Sequence, residues 1–540
     1  IHPATMLPAI KKGIPITIKN TFNPSARGTR IIKEAANDLL VKGITAIDDV
    51  VLINIAGTSL AGIPGSAARV FEAAARAKAN IILISQASSE HTICFAVKSA
   101  ELAPVLKALD KEFSAEIGSG KVSVSFSKNQ AVVAMVGDGM RGVPGIAGKL
   151  FGILGENGIN VSAIAQGGSE RNISFAVSSA DKIRTLNSVH EKFFSGEVKN
   201  IFLAGTGLVG GDLLGQIKEL QNQKSKLRVV GLIDSKHMII NEAGIPLNRW
   251  KKILDKGETA DFGSWMKKSV EMQVGRKIFV DCTASAEIAK NYIGLAESGF
   301  NIVTPNKKFN TFPMREYLNL REIMRKKNRQ FLYETNVGAG LPLISVIRDL
   351  LLSGDRIVRI EGIFSGTLSY LFNSFDDARG FSEVLSEARE LGYTEPDPRE
   401  DLNGNDVGRK LLVLAREIGW QMEFKDVSIE NLVPEELQGK MTPAEFLSDM
   451  KHHDGYFKKL LEKAYVGNKV LRYVARLERG KAVASLQGVP TDSPLAATRG
   501  ADNIFAIYTR RYDKRPLVVQ GPGAGAEVTA AGVLADILKI

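Results

Sequence analysis

The sequence predicts a multidomain protein of the α/β and α+β classes, and three observations support this fold class. The chain has 540 residues, which is too long for a single hydrophobic core, so several domains are expected. One pattern of glycine, apolar and polar residues occurs twice, the second copy 80 residues after the first. Further along, an apolar strand pattern leads into a glycine-rich turn and a helix pattern, the order typical of a dinucleotide-binding domain.

Composition excludes several classes of protein. Hydrophobic residues make up 44% and charged residues 24% of the chain, as in ordinary globular proteins. The net charge of +11 comes from scattered residues, so no nucleic-acid partner is expected, whereas an anionic cofactor or substrate would suit it. No apolar run approaches the roughly 18 residues of a membrane span, and there is no signal-peptide pattern. Cys94 and Cys282 lie in apolar strand-like runs, which indicates a reducing compartment, here expected to be the cytoplasm.

Residues 1–40 hold one short apolar segment beginning at Ile14, followed by a glycine turn. The run from Lys19 to Pro24, Lys-Asn-Thr-Phe-Asn-Pro, resembles the last stretch of an aspartate kinase catalytic domain. The glycine-rich, lysine-bearing nucleotide motif expected at the start of such a kinase is absent from the sequence, and the chain does not begin with methionine. We therefore expect residues 1–40 to be a kinase remnant or linker, without aspartate kinase activity.

The repeated pattern occupies residues 41–118 and 119–196. Each copy reads as strand, Gly-Pro-Gly turn, helix, strand, turn, strand and helix, a βαββαβ order that predicts a ferredoxin-like domain. This tandem repeat resembles a pair of ACT domains, the amino-acid-sensing modules of aspartate kinases. The repeated positions of the first copy, each with a counterpart 80 residues later, are Gly57, Gly62, Pro64, Gly65, Phe71, Gln86, Ser89, Glu90, Ile93, Phe95, Ala96, Val97, Ser99 and Ala100.

Gln86 and Gln166 are the candidate effector-binding residues of the repeat. Each ends an apolar strand, where a side-chain amide could meet an amino-acid ligand. The turn Ala61–Gly65 opens a helix whose free N–H groups can receive a carboxylate. The glycines and prolines of such turns also have a purely structural explanation, and the number of ligand sites, one or two, stays open. The resemblance implies that both glutamines contact threonine as a feedback effector.

Residues 197–335 carry a dinucleotide-binding signature. The run Gly205-x-Gly207-x-x-Gly210 lies between an apolar strand and a helix, and a second strand, Leu227–Ile233, ends at Asp234. This context predicts a Rossmann domain, with a turn at the first glycine, pyrophosphate at the second and close helix packing at the third. Asp234 suits the ribose 2′-hydroxyl of NAD, whereas Lys236 and His237 could neutralise the 2′-phosphate of NADP. The expected cofactor contacts in the turn are Gly205, Thr206, Gly207, Leu208, Val209 and Gly210.

Two later strands of this domain end in polar residues. One apolar run ends at Asp281 and is followed by Thr283, and the next leads into Thr304 and Lys307. Because strand ends line the cofactor cleft of an open parallel sheet, the residues expected to meet nicotinamide and substrate are Thr283, Thr304, Asn306 and Lys307. Beyond another strand, Glu334 begins a glycine turn, where it either holds a monovalent cation together with backbone carbonyls or caps a helix.

The stretch from Gly392 to Lys410, within a predicted domain at residues 336–515, is the densest in ionisable side chains. Pro396 and Pro398 exclude regular helix from its first part. Apolar residues at helical spacing then place Asp406 near a helix N-terminus and Lys410 one turn later on the same face. The alternative explanation is a solvated acidic loop with a surface ion pair. However, a proline-stiffened loop can hold carboxylates in place, and a lysine beside an aspartate can donate a proton.

This stretch resembles the homoserine dehydrogenase signature, in which Ala-x3-Gly-Tyr-Thr, starting at Ala388, precedes Pro-Asp-Pro, Asp-Leu-x-Gly-x-Asp and x3-Lys. The resemblance implies reversible hydride transfer between L-aspartate 4-semialdehyde and L-homoserine, with NADP favoured and NAD possible. It implies Lys410 as acid/base, Asp406 holding it and Lys307 as electrostatic support. The implied binding residues are Glu395, Asp401 and Asp406 for substrate, Gly525 for cofactor, and Glu334 with the carbonyls of Val337, Ala339 and Leu341 for Na⁺.

The remaining sequence predicts a sheet for subunit pairing and a C-terminal segment that packs on the cofactor domain. Strand patterns in residues 421–515 predict an antiparallel sheet suited to pairing subunits in a homo-oligomer, either a dimer or a tetramer. Residues 516–540 predict a glycine loop and a helix that return to the cofactor domain. Ser369 stands where the resembled family has Asn, so no substrate role is assigned to it. Two alternatives, a catalytically silent amino-acid sensor and another amino-acid dehydrogenase, fit the intact Gly392–Lys410 signature less well.

Overall fold

A computed structural model of the chain describes residues 3–32, 40–58, 60, 62–86, 91–195, 198–222 and 226–540. Three residues of the predicted repeat, Ala61, Ser89 and Glu90, lie outside the described residues, and so does the predicted domain boundary at 196–197. Contacts between Cα atoms divide the chain into two compact units. The first comprises residues 1–151 and 160–182, and the second comprises residues 152–159 and 183–540.

The N-terminal part of the chain forms a short helix and a two-stranded hairpin, followed by the repeated elements. The bounds are α1 Pro3–Lys11, β1 Ile16–Ile18, β2 Thr29–Ile31, β3 Gly43–Gly57, α2 Ser66–Arg76, β4 Leu83–Gln86, β5 Thr92–Lys98, α3 Leu102–Glu112, α4 Ser114–Gly118, β6 Val122–Val136, α5 Ile146–Glu156, β7 Ala163–Gln166, β8 Asn172–Ser178 and α6 Lys182–His190. The predicted repeat of strands and helices is confirmed by this order.

Strands β3 and β6 lie side by side at the centre of a sheet of order β4-β5-β3-β6-β8-β7. Residues 52–57 of β3 pair with 122–127 of β6, and residues 43–47 pair with 132–136. Asp49 and Asn129, 80 residues apart, both have a φ of 56° where the register between these strands shifts. Each ferredoxin-like half therefore completes its sheet with half a strand from the other, so the predicted boundary at 118–119 does not separate two independent domains.

The two halves of this sheet pack in the same way. The rings of Phe71 and Phe95 meet edge to face with centroids 6.1 Å apart, and those of Phe151 and Phe175 do the same at 5.9 Å. These four residues belong to the sequence repeat, and buried aromatic side chains contribute strongly to a small core. The repeated positions therefore include residues that build the core of each half.

The second unit begins with the predicted dinucleotide-binding region. Its elements are β9 Lys199–Ala204, α7 Leu208–Asn222, β10 Leu227–Ile233, β11 His237–Ile240, α8 Trp250–Leu254, β12 Glu258–Thr259, α9 Phe262–Glu271, β13 Lys277–Asp281, α10 Ala286–Ala289, α11 Tyr292–Glu297, β14 Asn301–Val303, α12 Met314–Lys326 and β15 Phe331–Leu332. The sheet order is β12-β11-β10-β9-β13-β14-β15, with β10, β9, β13, β14 and β15 parallel. The strand order reverses beside β9, which is where such sheets bind nucleotides.

The rest of the second unit is a sheet covered by helices. Its elements are α13 Ile344–Leu352, β16 Ile357–Ile363, α14 Gly366–Ser374, α15 Phe381–Glu390, α16 Arg399–Leu402, α17 Asn405–Glu417, β17 Val427–Ile429, α18 Pro443–Met450, α19 Asp454–Val466, β18 Lys469–Glu478, β19 Lys481–Pro490, β20 Asp502–Thr509, β21 Leu517–Pro522 and α20 Ala526–Lys539. The sheet order is β17-β19-β18-β16-β20-β21. All of its pairings are antiparallel except the parallel pairing of β17 with β19. The sequence did not predict this parallel pairing.

The C-terminal helix α20 packs against α7 of the dinucleotide-binding region, and both contribute to one buried apolar cluster. At the end of α20, the Lys199 ammonium donates hydrogen bonds to the carbonyls of Ile537 and Leu538, at 3.2 and 2.6 Å. A cation at a helix C-terminus satisfies carbonyls that have no partner within the helix. This packing brings the glycine loop before α20 close to the turn after β9.

Cys94 and Cys282 are unpaired thiols, and burial raises the pKa of both. Within the described ranges, no helix has both the length and the apolar character needed to cross a lipid bilayer.

Candidate active site

A cavity of about 970 Å³ opens in the second unit where three predicted segments meet. Its walls come from the turn after β9, from the Gly392–Lys410 stretch and from the glycine loop before α20. Of the residues proposed for the site, Leu208, Val209, Lys307, Ala339, Glu395, Asp401, Asp406, Lys410 and Gly525 line this cavity. The fold thus brings together residues that lie more than 300 positions apart in the sequence.

Asp406 lies between two lysines at the wall of the cavity. It is in the first turn of α17, which follows Gly404 in the left-handed conformation at φ 70°. The Lys410 ammonium lies 2.9 Å from Oδ2 of Asp406, and the Lys307 ammonium donates to Oδ1 at 3.0 Å. Because Lys410 is one helical turn beyond Asp406, the helix holds both groups on the same face. Lys307 reaches the same carboxylate from the end of β14.

The charges of this triad differ in their surroundings. Only 9% of the Lys410 side chain is exposed, compared with 28% for Lys307. Burial lowers the pKa of Lys410, and the attraction of Asp406 opposes this effect only in part. Burial would raise the pKa of Asp406, but the ammonium groups of Lys410 and Lys307 outweigh it and hold that pKa well below the usual range. Asp406 therefore stays charged, while Lys410 gives up its proton more easily than an ordinary lysine.

Lys410 has a second acceptor that the sequence did not reveal. Its ammonium donates to the backbone carbonyl of Phe364 at 2.6 Å. Phe364 follows the last residue of β16, and Ser365 caps α14 immediately afterwards. A backbone carbonyl carries no side-chain signal, so only the tertiary fold could identify this contact.

Both carboxylate oxygens of Asp401 accept hydrogen bonds from neighbouring protein groups. Its Oδ2 accepts the Glu395 N–H at 2.8 Å, and its Oδ1 accepts the Thr367 hydroxyl at 2.9 Å. Burial raises the pKa of Asp401 to about 6. Asp401 thus holds the backbone of the exposed Glu395 at the cavity wall, and the substrate contact expected of Asp401 stays a prediction. Thr367 was not anticipated from the sequence.

The glycines of the β9 turn fit two of the three roles expected from their spacing. Gly205 has a φ of 89°, and a Cβ there would lie 2.8 Å from the carbonyl carbon of Cys282. A Cβ at Gly210 would lie 2.0 Å from the Gly205 oxygen, so only glycine allows α7 to pack this closely. Gly207 has no atom within 4 Å of a Cβ position. The space beside Gly207 is therefore open, as its expected role requires.

Asp234 follows β10 and holds the turn after it. Its Oδ1 accepts the backbone N–H groups of Lys236 and His237, each at 2.7 Å, and its Oδ2 lies 3.5 Å from the Thr206 hydroxyl. Asp234 and Thr206 thus meet at the edge of the glycine turn. The contacts that Lys236 and His237 make here are made by the backbone.

Thr304 differs from the prediction because its side chain does not face the cleft. It is fully buried, and its hydroxyl donates to the Asp281 carbonyl at 2.9 Å and accepts from Tyr292 at 3.0 Å. Thr283 donates both its N–H and its hydroxyl to the Asp281 carboxylate, at 2.8 and 2.6 Å. Asn306 donates to the same carboxylate at 2.9 Å. A buried carboxylate therefore organises the strand ends beneath the cleft.

Glu334 caps a helix, which was one of the two sequence-based alternatives. Its Oε1 accepts the Ile344 N–H at 2.6 Å, and its Oε2 accepts the Ser345 N–H at 3.0 Å, both at the start of α13. The cation predicted in the 334–341 turn, with Glu334 and backbone carbonyls as ligands, stays a prediction. Ala339 has a φ of 52°, an uncommon conformation for a residue with a side chain.

Gln166 lines a separate cavity of about 320 Å³ within the first unit. The turn before α5 also lines this cavity, and its Gly142 N–H donates to Glu170 at 2.6 Å. Gln86 ends β4 at the corresponding place and is exposed. The residues after Gln86, at 87–90, lie outside the described part of the chain.

Comparison with protein-family models finds three matches. Residues 342–538 match the family described as homoserine dehydrogenase, and residues 205–334 match the homoserine dehydrogenase NAD-binding domain. Residues 53–113 and 133–193 each match the ACT domain. The matched ranges include the glycine turn, the Gly392–Lys410 stretch and both copies of the repeat.

Curated relatives and solved structures agree with these matches. The chain is 43% identical over its whole length to the chloroplastic bifunctional aspartokinase/homoserine dehydrogenase 1 of Arabidopsis thaliana, and it spans 61% of that relative's length. Over 64% of this chain, it is 37% identical to 98% of a homoserine dehydrogenase from Paracoccidioides brasiliensis. A crystal structure of a Candida auris protein of unknown function is 36% identical, with a TM-score of 0.58, covering 64% of this chain and 98% of that one.

Proposed function

The chain belongs to the homoserine dehydrogenase family, and from this premise we propose that it interconverts L-aspartate 4-semialdehyde and L-homoserine with a nicotinamide cofactor. The cavity with the Asp406, Lys410 and Lys307 triad is the observation that carries this proposal. Reduction of an aldehyde needs a hydride at carbon and a proton at oxygen. The bound nicotinamide supplies or accepts the hydride, so the chain must orient the substrate and move the proton.

Lys410 is the proposed acid/base. Its buried ammonium has a lowered pKa, so it can give a proton to the carbonyl oxygen during reduction and take it back during oxidation of homoserine. Asp406 keeps Lys410 in place through the 2.9 Å contact. Lys307 carries a second positive charge at the same carboxylate, where it can stabilise negative charge developing on the substrate oxygen.

Glu395 and Asp406 are proposed to bind the substrate ammonium group. Both line the cavity, and the prolines around Glu395, together with its backbone bond to Asp401, restrict where its carboxylate can lie. Asp401 is also proposed to bind the substrate, and its hydrogen bond to the Glu395 N–H positions Glu395. Gly205, Gly207 and Gly525 are proposed to contact the cofactor, because the loops that carry them meet at the cavity.

Regulation, assembly and ion binding extend the proposal. Gln166, in its own cavity, and Gln86 are proposed to bind an amino-acid effector, with threonine as the first candidate.

Two or four copies of the chain are proposed to assemble through the sheet of β16 to β21. A monovalent cation such as Na⁺ is proposed on Glu334 and the carbonyls of Val337, Ala339 and Leu341. The unpaired thiols of Cys94 and Cys282 support a reducing compartment such as the cytoplasm.

A direct assay of cofactor oxidation and reduction tests the central proposal. The purified chain should oxidise NADPH or NADH when aspartate 4-semialdehyde is added and should reduce NADP⁺ or NAD⁺ when L-homoserine is added. Aspartate and glutamate serve as controls, because another amino-acid dehydrogenase or a silent sensor would not show this selectivity. If neither direction shows turnover with either cofactor, the proposed function is wrong.

A further inference from the structure

The Phe364 carbonyl accepts two hydrogen bonds, and only one comes from Lys410. The second donor is Nδ2 of Asn503, at 3.2 Å, while the Lys410 ammonium donates at 2.6 Å. Asn503 lies on β20, which pairs with β16 just before Phe364. The side-chain amide and the buried ammonium therefore share one acceptor.

The orientation of the Asn503 amide follows from its surroundings. A backbone carbonyl only accepts hydrogen bonds, so the NH₂ group must face Phe364 and Oδ1 must point the other way. Asn503 is fully buried, and within the described residues its Oδ1 has no hydrogen-bond partner. A buried acceptor without a partner lowers stability, whereas an apolar side chain of similar size would avoid this cost. Packing alone does not explain an amide at this position.

Asn503 also contacts the loop that lines the cavity. A Cβ placed on Gly523 would lie 2.0 Å from Cγ of Asn503, so the amide packs directly against the Gly523 backbone. Gly523 and Gly525 belong to the cavity wall. Asn503 thus lies between the proposed cofactor loop and the acceptor that holds Lys410.

We propose that Asn503 is a positioning residue that weakens the hold of the Phe364 carbonyl on the Lys410 ammonium. This inference rests on the proposed role of Lys410 as acid/base. A carbonyl that already accepts from an amide has less electron density to offer a second donor. The ammonium form of Lys410 is therefore less stabilised than it would be beside an unshared carbonyl, and the proton leaves more easily.

Other charged groups also act on Lys410. Asp406 and Asp401 favour its charged form, and Lys307 disfavours it. These groups come from α17, α16 and the turn after β14, and no hydrogen bond joins any of the three side chains to Asn503 among the described residues. A substitution at Asn503 therefore changes the shared carbonyl while leaving these charges in place.

The test compares Asn503→Leu, which keeps the side-chain size, with the wild-type chain. The readout is the pH profile of kcat/KM for homoserine oxidation, whose acid limb reports the group that must be deprotonated in the free enzyme. We expect this limb to move upward by roughly 0.1–0.6 pH unit, because one hydrogen bond changes the strength of a neighbouring bond to a charged group by about 10–30%. We also expect the thermal midpoint to stay equal or rise, because the unpaired Oδ1 is gone. Asn503→Ala provides the same pH readout if the leucine variant does not fold.

Asn373→Leu is the matched control. Asn373 is another amide of this sheet-and-helix region, and it accepts from the Arg472 guanidinium at 2.7 Å without touching the Phe364 carbonyl. We expect it to lower the thermal midpoint and to leave the acid limb in place. An unchanged limb in both Asn503 variants, or a limb that moves downward, overturns the inference. Its failure is distinct from failure of the proposed function, which would appear as absent turnover in the wild type. It is also distinct from failure of the Lys410 assignment, which would appear as near-normal turnover in Lys410→Ala.

Discussion

Nζ of Lys410 lies 2.9 Å from Oδ2 of Asp406, one turn apart on α17, with only 9% of the lysine side chain exposed. A surface pair at this spacing contributes little. Here the pair is at a cavity wall, and the same carboxylate also binds Lys307. The sequence predicted the spacing of Asp406 and Lys410. The burial that lowers the pKa of Lys410 depends on the tertiary fold.

Lys410→Ala should lower kcat far more than it raises KM for the semialdehyde. Its proton is needed when the carbonyl oxygen takes on negative charge, so the loss falls on the chemical step. Removal of a general acid typically costs about 10²–10⁴-fold in rate. Lys410→Arg should restore little, because a guanidinium does not readily release its proton. Steady-state kinetics in the reducing direction provide the measurement, and a near-normal kcat for Lys410→Ala would assign the proton to another group.

Asp401 should give the protein a stability term that depends on pH. Burial raises the pKa of its carboxyl from 3.8 to about 6, so the folded state favours the protonated form. That contribution is fully present below about pH 4 and is lost as pH rises through about 6. Relative to Asp401→Asn, the wild type should lose about 1–2 kcal/mol of unfolding free energy between pH 4 and 7, allowing for partial exposure. Parallel denaturant titrations that show no difference across this window would contradict the shift.

Gly210→Ala and Gly207→Ala should separate folding from cofactor binding. A Cβ at residue 210 meets the Gly205 oxygen at 2.0 Å, whereas one at residue 207 meets nothing within 4 Å. Gly210→Ala should therefore lower stability by about 1–3 kcal/mol without cofactor. Gly207→Ala should unfold like the wild type but bind the dinucleotide more weakly, since the added methyl group occupies the approach to the pyrophosphate. Thermal unfolding with and without NADPH measures both effects, and a stable Gly210→Ala would show that α7 can move away.

Asp234→Ser should improve the use of NADP relative to NAD. A carboxylate at the ribose accepts a hydrogen bond from the 2′-hydroxyl but repels a 2′-phosphate. We expect the ratio of kcat/KM values, NADP over NAD, to rise roughly 10-fold, the change produced by about 1.4 kcal/mol. Asp212→Ser, a substitution of another aspartate in the same domain, is the control. An unaltered ratio in Asp234→Ser would place the ribose elsewhere.

Gln166→Ala should reduce inhibition by the amino-acid effector while leaving uninhibited turnover near normal. Loss of a hydrogen bond to a charged ligand should raise the half-inhibitory concentration of threonine roughly 10–100-fold. Gln86→Ala tests whether the first copy of the repeat also binds the effector. Gln273→Ala, in the dehydrogenase part, controls for loss of a glutamine as such. Full threonine sensitivity in both repeat variants would mean that the ligand binds elsewhere.

The sequence by itself determined the kinds of domain and several local geometries. The 80-residue repeat, the Gly205–Gly210 turn and the spacing of Asp406 and Lys410 are local patterns, and local backbone geometry converts each one directly into structure. The tertiary structure alone decided which groups meet across long separations. The exchange of half-strands between β3 and β6, the burial of Thr304, the helix cap at Glu334 and the shared Phe364 carbonyl all depend on backbone atoms or on distant packing. Backbone groups are the same at every residue, so their partners cannot be inferred from residue types and emerge only when the chain is folded.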